Sequence, residues 1–471
     1  MRVKNKMLRF LFFCIFFSLI SCTLIGPDYK RPEASLPNNY HQEVQGNNLN
    51  KDINMWWKLY QDPTLNDLMD KALTKNTDIN AAIARVEESD AYLREVGAAL
   101  LPEVDLNSQA YRNRVTRTAT VPLSNIPALR KDYLVRLGTS FELDFWGKLR
   151  RAKESAKAEF LASQYSKDTV VLSLQSLVAS NYLFLRSLDS QIQFTKASVK
   201  FKEDILALTH KRLEGGLVSA LDVNQAEANF DNLAAQLSDL IRQREFVHNQ
   251  LVVLTGDMNL NINESTLDTL VTPPTPPAGL PSTLLESRPD IRQAEQLMIA
   301  ANANIGVAKA ALFPTISLTT NLGAESGALR NLNNSGSSIW GGGLGLSLPI
   351  FDSGRVRSRI EQATAREKQA LNYYESSIQN AFKEVNNALV ELREYTEQEK
   401  DLKLTQDAAK KAMDIASNRY KAGYSSYLEY LDAQRVYNDA SINYIQTRQL
   451  RLIASVDLFK SLGGGWQSQI Q

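Results

Sequence analysis

The stretch Thr315–Leu322 reads TISLTTNL and alternates between apolar and polar side chains. Ile316, Leu318 and Leu322 share one face, whereas serine, threonine and asparagine occupy the other. This alternation predicts a β-strand with one face in an apolar environment. A second candidate strand, 340–348, follows a polar loop and consists largely of glycine and leucine.

Two similar segments occur in the first half of the chain, so four strands are predicted, at about 103–113, 132–144, 314–323 and 339–349. Strands of about ten residues with one apolar face are typical of transmembrane β-barrels. The alternative is a soluble four-stranded sheet packed on helices. A sheet of four strands cannot close on itself, and open edges are not tolerated in lipid. A membrane sheet therefore requires several chains, and three chains would supply twelve strands.

Long helices flank the predicted strands. The segment between Gly354 and Gly423 contains no proline and no further glycine, and its apolar residues recur every three or four positions. This period predicts a coiled-coil seam on a helix of about 100 Å, at ~1.5 Å per residue. Glycines 216 and 423 predict sharp turns into returning helices. The predicted long helices are 147–214, 217–255, 354–422 and 425–462.

An internal repeat relates the two halves. ALLPEVDL at 99–106 recurs as ALFPTISL at 311–318, an offset of 212, and Gly216 pairs with Gly423 at an offset of 207. Matching positions that extend from the predicted strands to the glycine turns indicate that one half of the chain is a duplicate of the other. The predicted domains are an N-terminal segment 22–64, a first repeat 65–271, a proline-rich linker 272–281, a second repeat 282–463 and a tail 464–471.

The N-terminus has the pattern of a secretory signal peptide, with four basic residues before an apolar run. Residues 19–22 read LISC and resemble a bacterial lipobox. The resemblance implies cleavage of 1–21 and attachment of diacylglycerol and a further acyl chain to Cys22. An ordinary signal peptide with a chance cysteine is the alternative. Without 1–21 the chain has 49 basic and 52 acidic residues, a net charge of −3 rather than +1.

Composition excludes several classes of protein. The 471 residues are nearly neutral, which argues against a nucleic-acid binder. Two cysteines and three scattered histidines exclude a disulfide framework and disfavour a Cys/His metal site. No nucleophile or phosphate-binding motif is present. We therefore expect no enzyme, no catalytic residue, no metal and no cofactor beyond the lipid at Cys22.

Three motifs resemble the outer membrane efflux protein family, the OprM/TolC-like channels, in its lipoprotein branch. They are WWKLYQDPTL at 56–65, LPSTLLESRPDI at 280–291 and PIFDSGR at 349–355. The resemblance implies a mainly α-helical trimer with a twelve-stranded outer-membrane β-barrel and a twelve-helix periplasmic α-barrel. It also implies two partners, a periplasmic adaptor protein and an inner-membrane transporter.

Residues 419–432, RYKAGYSSYLEYLD, resemble the gate hairpin of this family. The resemblance assigns gate positions to Leu428, Asp432, Glu429, Tyr420 and, in the first repeat, Asp222. In a trimer, Leu428 would form an apolar constriction and the carboxylates acidic rings that favour cations. The alternatives are a solvated helix face for the carboxylates and packing between helices for Tyr420 and Leu428.

The expected function is an outer-membrane exit duct that passively conducts small molecules expelled by a tripartite efflux pump. Two alternatives remain at this point. One is the exit channel of a type I protein-secretion system. The other is a coiled-coil lipoprotein that bridges envelope layers without forming a channel.

Overall fold

The structure is a computed structural model and describes most of the chain. The described residues are 24–33, 37, 40, 53–116, 128–275 and 281–464. The predicted signal peptide 1–21 and the lipid-attachment residue Cys22 lie outside them. Parts of the N-terminal segment and of the proline-rich linker, and all of the tail beyond Gly464, also lie outside the described residues.

Helices make up most of the described chain, and four strands interrupt them. In chain order the elements are α1 (Pro63–Lys75), α2 (Thr77–Ala98), β1 (Glu103–Arg114), β2 (Leu129–Glu142), α3 (Lys148–Glu214), α4 (Ala220–Thr255), α5 (Leu284–Ser287), α6 (Pro289–Ala310), β3 (Thr315–Ser326), β4 (Ser338–Ser347), α7 (Arg355–Lys421) and α8 (Tyr427–Ser461). The mainly helical class with a four-stranded sheet is confirmed. Within the described residues, no helix has both the length and the hydrophobicity needed to cross a bilayer.

The returning helices begin later than the sequence predicts. Helix α4 starts at Ala220 rather than 217 because Ser219 is its N-cap, whose side chain accepts from the backbone N–H of Asp222. Helix α8 starts at Tyr427 rather than 425 because Ser426 caps it in the same way. Capping serines, and not the turn glycines, therefore set these starts.

The strand bounds also differ from the predicted ones, because pairing across the sheet decides them. Strand β2 begins at Leu129 rather than 132, since Leu129 pairs with Arg114 at the end of β1. Strand β3 continues to Ser326 rather than 323, since Ser326 pairs with Tyr133. Strand β4 ends at Ser347, opposite the first residue of β3.

Each repeat begins with two helices, which are separated at equivalent positions. Asn76 separates α1 from α2, and Arg288 separates α5 from α6, at the repeat offset of 212. The Asn76 side chain accepts from Asp78 N at 2.8 Å and donates to Leu254 O at 2.9 Å. At the second break Pro289 supplies no backbone N–H and disfavours helical geometry at the preceding residue.

One compact unit comprises the described residues within 1–33, 85–163 and 293–374 and contains the sheet. Its strands are antiparallel in the order β1-β2-β3-β4. Leu106, Leu137, Leu322 and Trp340 lie directly opposite one another across the sheet. Their side chains are 70, 50, 64 and 81 % exposed. The sheet therefore presents an uncovered apolar row, and β1 and β4 have no further strand partner among the described residues.

The N-terminal residues 24–33 lie against helices of the same unit. Arg151, whose side chain is buried, contacts Asp28 at 2.6 Å and Glu154 at 2.8 Å. Gly306 permits this approach, since a Cβ there would lie 2.8 Å from the Arg151 side chain. Further along, Tyr29 donates to Glu295 at 3.1 Å. These contacts fix the described chain that follows Cys22.

The other unit comprises the described residues within 34–84, 164–292 and 375–471 and contains an aromatic core. The indole of Trp56 stacks on Phe459 with ring centroids 5.5 Å apart, and the Tyr60 hydroxyl lies 2.6 Å from Ser455 Oγ. The motif at 56–65 therefore packs against the end of α8.

Arg288 explains the RPD motif in the same unit. Its guanidinium donates to Ser461 O at 3.0 Å and contacts Glu384 at 2.7 Å and Asp290 at 2.7 Å. The side chain is nearly buried, so these partners are needed to compensate its charge. Arg288 thus joins the start of α6 to the end of α8 and the middle of α7.

Candidate functional site

Two glycine turns form the helix tips: the first tip, residues 212–222, joins α3 to α4, and the second tip, residues 419–429, joins α7 to α8. Gly216 and Gly423 have φ values of +69° and +82°, a conformation that favours glycine. The backbone N–H of Leu217 donates to Arg212 O at 2.8 Å. In the second tip, the backbone N–H of Tyr424 donates to Arg419 O at 2.9 Å. Both tips are therefore closed by the same Schellman motif.

The carboxylates of Asp222 and Glu429 occupy equivalent positions but have different partners. Asp222 accepts from the Ser219 backbone N–H and hydroxyl, both at 3.0 Å, and completes a capping box. Glu429 is longer, and its carboxylate lies 3.5 Å from Arg419 Nε across the second tip. Asp222 thus has a structural partner on its own helix, and Glu429 joins two helices.

Leu428 and Asp432 lie on the exposed surface of α8. Leu428 is 66 % exposed. Asp432 is also exposed and contacts Arg435 of the next helical turn at 3.0 Å. Both line a groove of about 760 Å³ whose other walls come from α3 and α4. They are available to a partner surface, unlike Tyr420.

Tyr420 is buried in an aromatic cluster between the two tips. Its ring stacks on Tyr430 at 5.6 Å and meets Tyr427 edge-on at 5.7 Å. Its hydroxyl lies 2.9 Å from Thr209 Oγ1. Because the Thr209 hydroxyl donates to Ile205 O, Tyr420 is the donor of this bond. Tyr420 therefore connects α7 to α3 within one chain.

Arg212 is a tip residue that the sequence did not single out as functional. Its guanidinium donates to Tyr420 O at 2.9 Å and Lys421 O at 3.0 Å, and it lies 4.6 Å over the Tyr420 ring. A cation at these last carbonyls stabilises the end of α7. Arg212 and Arg419 are related by the repeat offset of 207, which is the sequence signal that points to Arg212. The two arginines nevertheless make different contacts.

Burial changes the titration of this cluster. Removal from water raises the pKa of Tyr427 to about 12, with smaller contributions from Tyr420 and Asp222. Burial likewise raises the pKa of Tyr430. Both phenols stay protonated over the neutral range. No group of three or more metal-ligating side chains occurs in the part of the chain that the structure describes.

Residues 68–257 and 280–464 match the family described as Outer membrane efflux protein. The two matched segments correspond to the two repeats and cover most of the chain.

Named relatives agree over nearly the whole length. The pyoverdine export outer membrane protein OpmQ of Pseudomonas aeruginosa is 34 % identical, over 96 % of this chain and 98 % of its own. The toluene efflux pump outer membrane protein TtgC of Pseudomonas putida is 32 % identical, over 96 % and 94 %. Among solved structures, the open state of the Neisseria gonorrhoeae MtrE outer membrane channel is 30 % identical. Its TM-score is 0.85, and the match covers 95 % of this chain and 100 % of that one.

Removing the Tyr420 hydroxyl should loosen the connection between the tips. We expect Tyr420→Phe to lower the local opening free energy by about 1 kcal/mol, the net value of one buried hydrogen bond. Hydrogen exchange of amides 205–212 and 418–424 measures this loss. Thr209→Val in the Tyr420→Phe background should add little, because the shared bond is already absent. Tyr424→Phe, at an exposed tyrosine of the same tip, is the control and should change nothing.

The tyrosine cluster should weaken in alkali. The folded pKa of Tyr427, about 12, exceeds the ordinary value of 10.0, so the unfolded segment loses its proton first. The stabilisation is complete below pH 10 and falls as the pH rises toward 12. Local hydrogen exchange compared at pH 9 and 11 should show less alkaline weakening in Tyr427→Phe than in wild type. Equal weakening in the two proteins would contradict this assignment.

Proposed function

We propose, from the premise that the chain belongs to the outer membrane efflux protein family, that it is the exit duct of a tripartite efflux pump. The chain is an outer-membrane efflux channel protein and not an enzyme. The proposal adds that it conducts passively, that it assembles as a homotrimer with an adaptor and a transporter, and that the helix tips close it.

The sheet is the observation that carries the proposal. It has an exposed apolar row from Leu106 to Trp340 and two outer strands without partners among the described residues. Such edges cannot remain open in lipid. Pairing β1 of one copy with β4 of the next removes every edge when three copies form a twelve-stranded β-barrel. The polar face, which carries Asn107, Ser317 and Asn321, would then line a wet lumen.

The long helices supply the periplasmic part of the duct. Each copy contributes α3, α4, α7 and α8, so three copies provide twelve helices for a tunnel. A wall of helices with a polar lumen needs no chemical step, which supports passive conduction. Small molecules are the proposed cargo, since the relatives carry the names pyoverdine export and toluene efflux proteins.

The gate is proposed at the second tip and the adjoining start of α8. Under threefold symmetry Leu428 would form an apolar ring, and Asp432 and Glu429 would form acidic rings that favour cations. The exposure of Leu428 and Asp432 supports this assignment. Gln225 stands at the repeat position of Asp432, so the Asp432 ring would contain three carboxylates and not six. Tyr420 and Asp222 would act indirectly, by positioning the tips.

Exposed apolar residues at the turns support docking of an adaptor. Leu217 is 77 % exposed, and its repeat equivalent Tyr424 is 81 % exposed. Cys22 is the proposed lipid anchor, and the lipobox is the only support for this assignment.

Two alternative functions differ from the efflux duct in what they predict. A type I secretion channel would have the same trimeric architecture but would conduct a protein. A bridging lipoprotein would form no trimer and would not conduct.

If the protein is an exit duct, it must form trimers, and these trimers must conduct ions across a membrane. We expect unheated protein from detergent-solubilised outer membrane to migrate as a trimer and boiled protein as a monomer. Inserted in a planar bilayer, the trimer should give discrete single-channel steps. A monomer or dimer without conductance would favour the bridging lipoprotein. Crosslinking in cells, followed by identification of the captured adaptor and transporter, separates drug efflux from protein secretion.

Removing the gate residues should open the duct. We expect Leu428→Ala with Asp432→Ala to raise the closed-state conductance severalfold and to weaken cation selectivity, since the apolar ring and the acidic ring are both lost. Single-channel recording measures both quantities. The matched control is Leu221→Ala with Gln225→Ala, the same positions in the first repeat, which should leave the conductance unchanged. Equal effects of the two pairs would refute the assignment to the second tip.

A further inference from the structure

The apolar face of the sheet is charged at one end only. Among the described residues of the four strands, the charged side chains on this face are Arg112, Arg114 and Lys131. Every acidic side chain of the strands lies on the opposite face, at Glu103, Asp105, Asp132, Glu142 and Glu325. The alternation of side chains in the paired register determines this separation. The face is therefore apolar along most of its length and purely cationic at its end.

The three cations form one exposed cluster, which we call the rim cluster. Arg112 lies directly opposite Lys131, and Arg114 lies opposite Leu129 in the same ladder. All three side chains are exposed. None of them forms a salt bridge to a described residue. Pairing with described residues therefore does not explain the rim cluster.

The rim cluster lies about one bilayer thickness from the other end of the apolar face. From Phe141 to Lys131 strand β2 extends about 33 Å, at ~3.3 Å per residue. A strand tilt of about 40° reduces this to about 25 Å, the height of the apolar band of a membrane barrel. Tyr133 is the neighbour of Lys131 on the same face of β2, and aromatic residues are expected at this membrane–water interface. In a membrane barrel the three cations would therefore lie at the level of lipid headgroups.

The direction of the chain shows which leaflet this is. Helix α3 begins at Lys148, soon after β2 ends at Glu142, so the Phe141 end is the end nearer the long helices. The rim cluster lies at the opposite end, beside the connection between β1 and β2. Since the helices extend into the periplasm, the rim cluster faces the outer leaflet.

We propose that Arg112, Lys131 and Arg114 bind the phosphate groups of outer-leaflet lipid, of which the phosphorylated glycolipid lipid A is the probe. The inference rests on the proposed function, because it requires the apolar face of the sheet to contact lipid. Guanidinium and ammonium groups at headgroup level match phosphate in charge and geometry. A trimer would carry three such sites around its circumference, each next to an acyl-chain contact surface.

The test uses full-length protein in a zwitterionic detergent with EDTA, so that no divalent cation bridges lipid to protein. Native mass spectrometry measures retention of lipid A and of lipid A lacking its phosphates. Wild type should prefer the phosphorylated lipid, and the preference should fall about fivefold for each cation removed, or about 25-fold in Arg112→Gln/Lys131→Gln. Arg136→Gln, at a cation on the polar face, is the matched control and should keep the preference.

Two further arms identify the source of the phosphate and protect against misfolding. Inorganic phosphate at the same concentration should not displace the lipid, and displacement would assign the rim cluster to a free anion instead. Arg112→Lys/Lys131→Arg should retain most of the preference, because the charge is kept. An unchanged preference in the double glutamine variant overturns the proposal.

Channel recording in bilayers of phosphatidylcholine alone separates this inference from the proposed function. The double glutamine variant should conduct as wild type does, because the rim cluster lies outside the lumen. If wild-type protein conducts normally but shows no preference for phosphorylated lipid, the lipid site is refuted and the proposed function stands. If wild-type protein forms no channel, the proposed function is refuted.

Discussion

Strands β1 and β4 each carry a row of backbone N–H and C=O groups for which the described chain provides no strand partner. In lipid each unsatisfied group costs several kcal/mol, so roughly ten residues of open edge cannot be tolerated. In the proposed membrane sheet, neighbouring chains must therefore cover these edges. In the proposed trimer, the symmetry and the number of tunnel helices follow from that single requirement.

At the tips the two repeats have kept the same backbone and changed their side chains. Both turns use a glycine with positive φ and the same Schellman motif. Asp222 makes a capping box on its own helix, whereas Glu429 reaches Arg419. Arg212 caps the end of α7, although its counterpart Arg419 does not perform the equivalent role. A duplicated framework thus presents two different surfaces at the two tips.

Much of the fold follows from local pattern. Side-chain alternation in 315–322 and the proline-free run after Gly354 predict strands and long helices because their periods are intrinsic to the backbone. Helix starts were missed by two or three residues at Ser219 and Ser426, since a capping serine resembles any loop serine in the sequence. The extra length of β3 depends on a partner in another part of the chain, Tyr133, and could not be seen locally.

The candidate site also has features that the sequence predicts and features that only the structure shows. The sequence by itself determined the class of the chain, its repeat, its glycine turns and which residues resemble a gate. Only the tertiary structure decided that Tyr420 is buried against Thr209 of another helix, and that Asp222 has a structural partner while Leu428 remains exposed. The physical reason is range. Turns and periodicity arise within a few residues, whereas burial and hydrogen-bond partners depend on groups brought together from as far as 211 positions away.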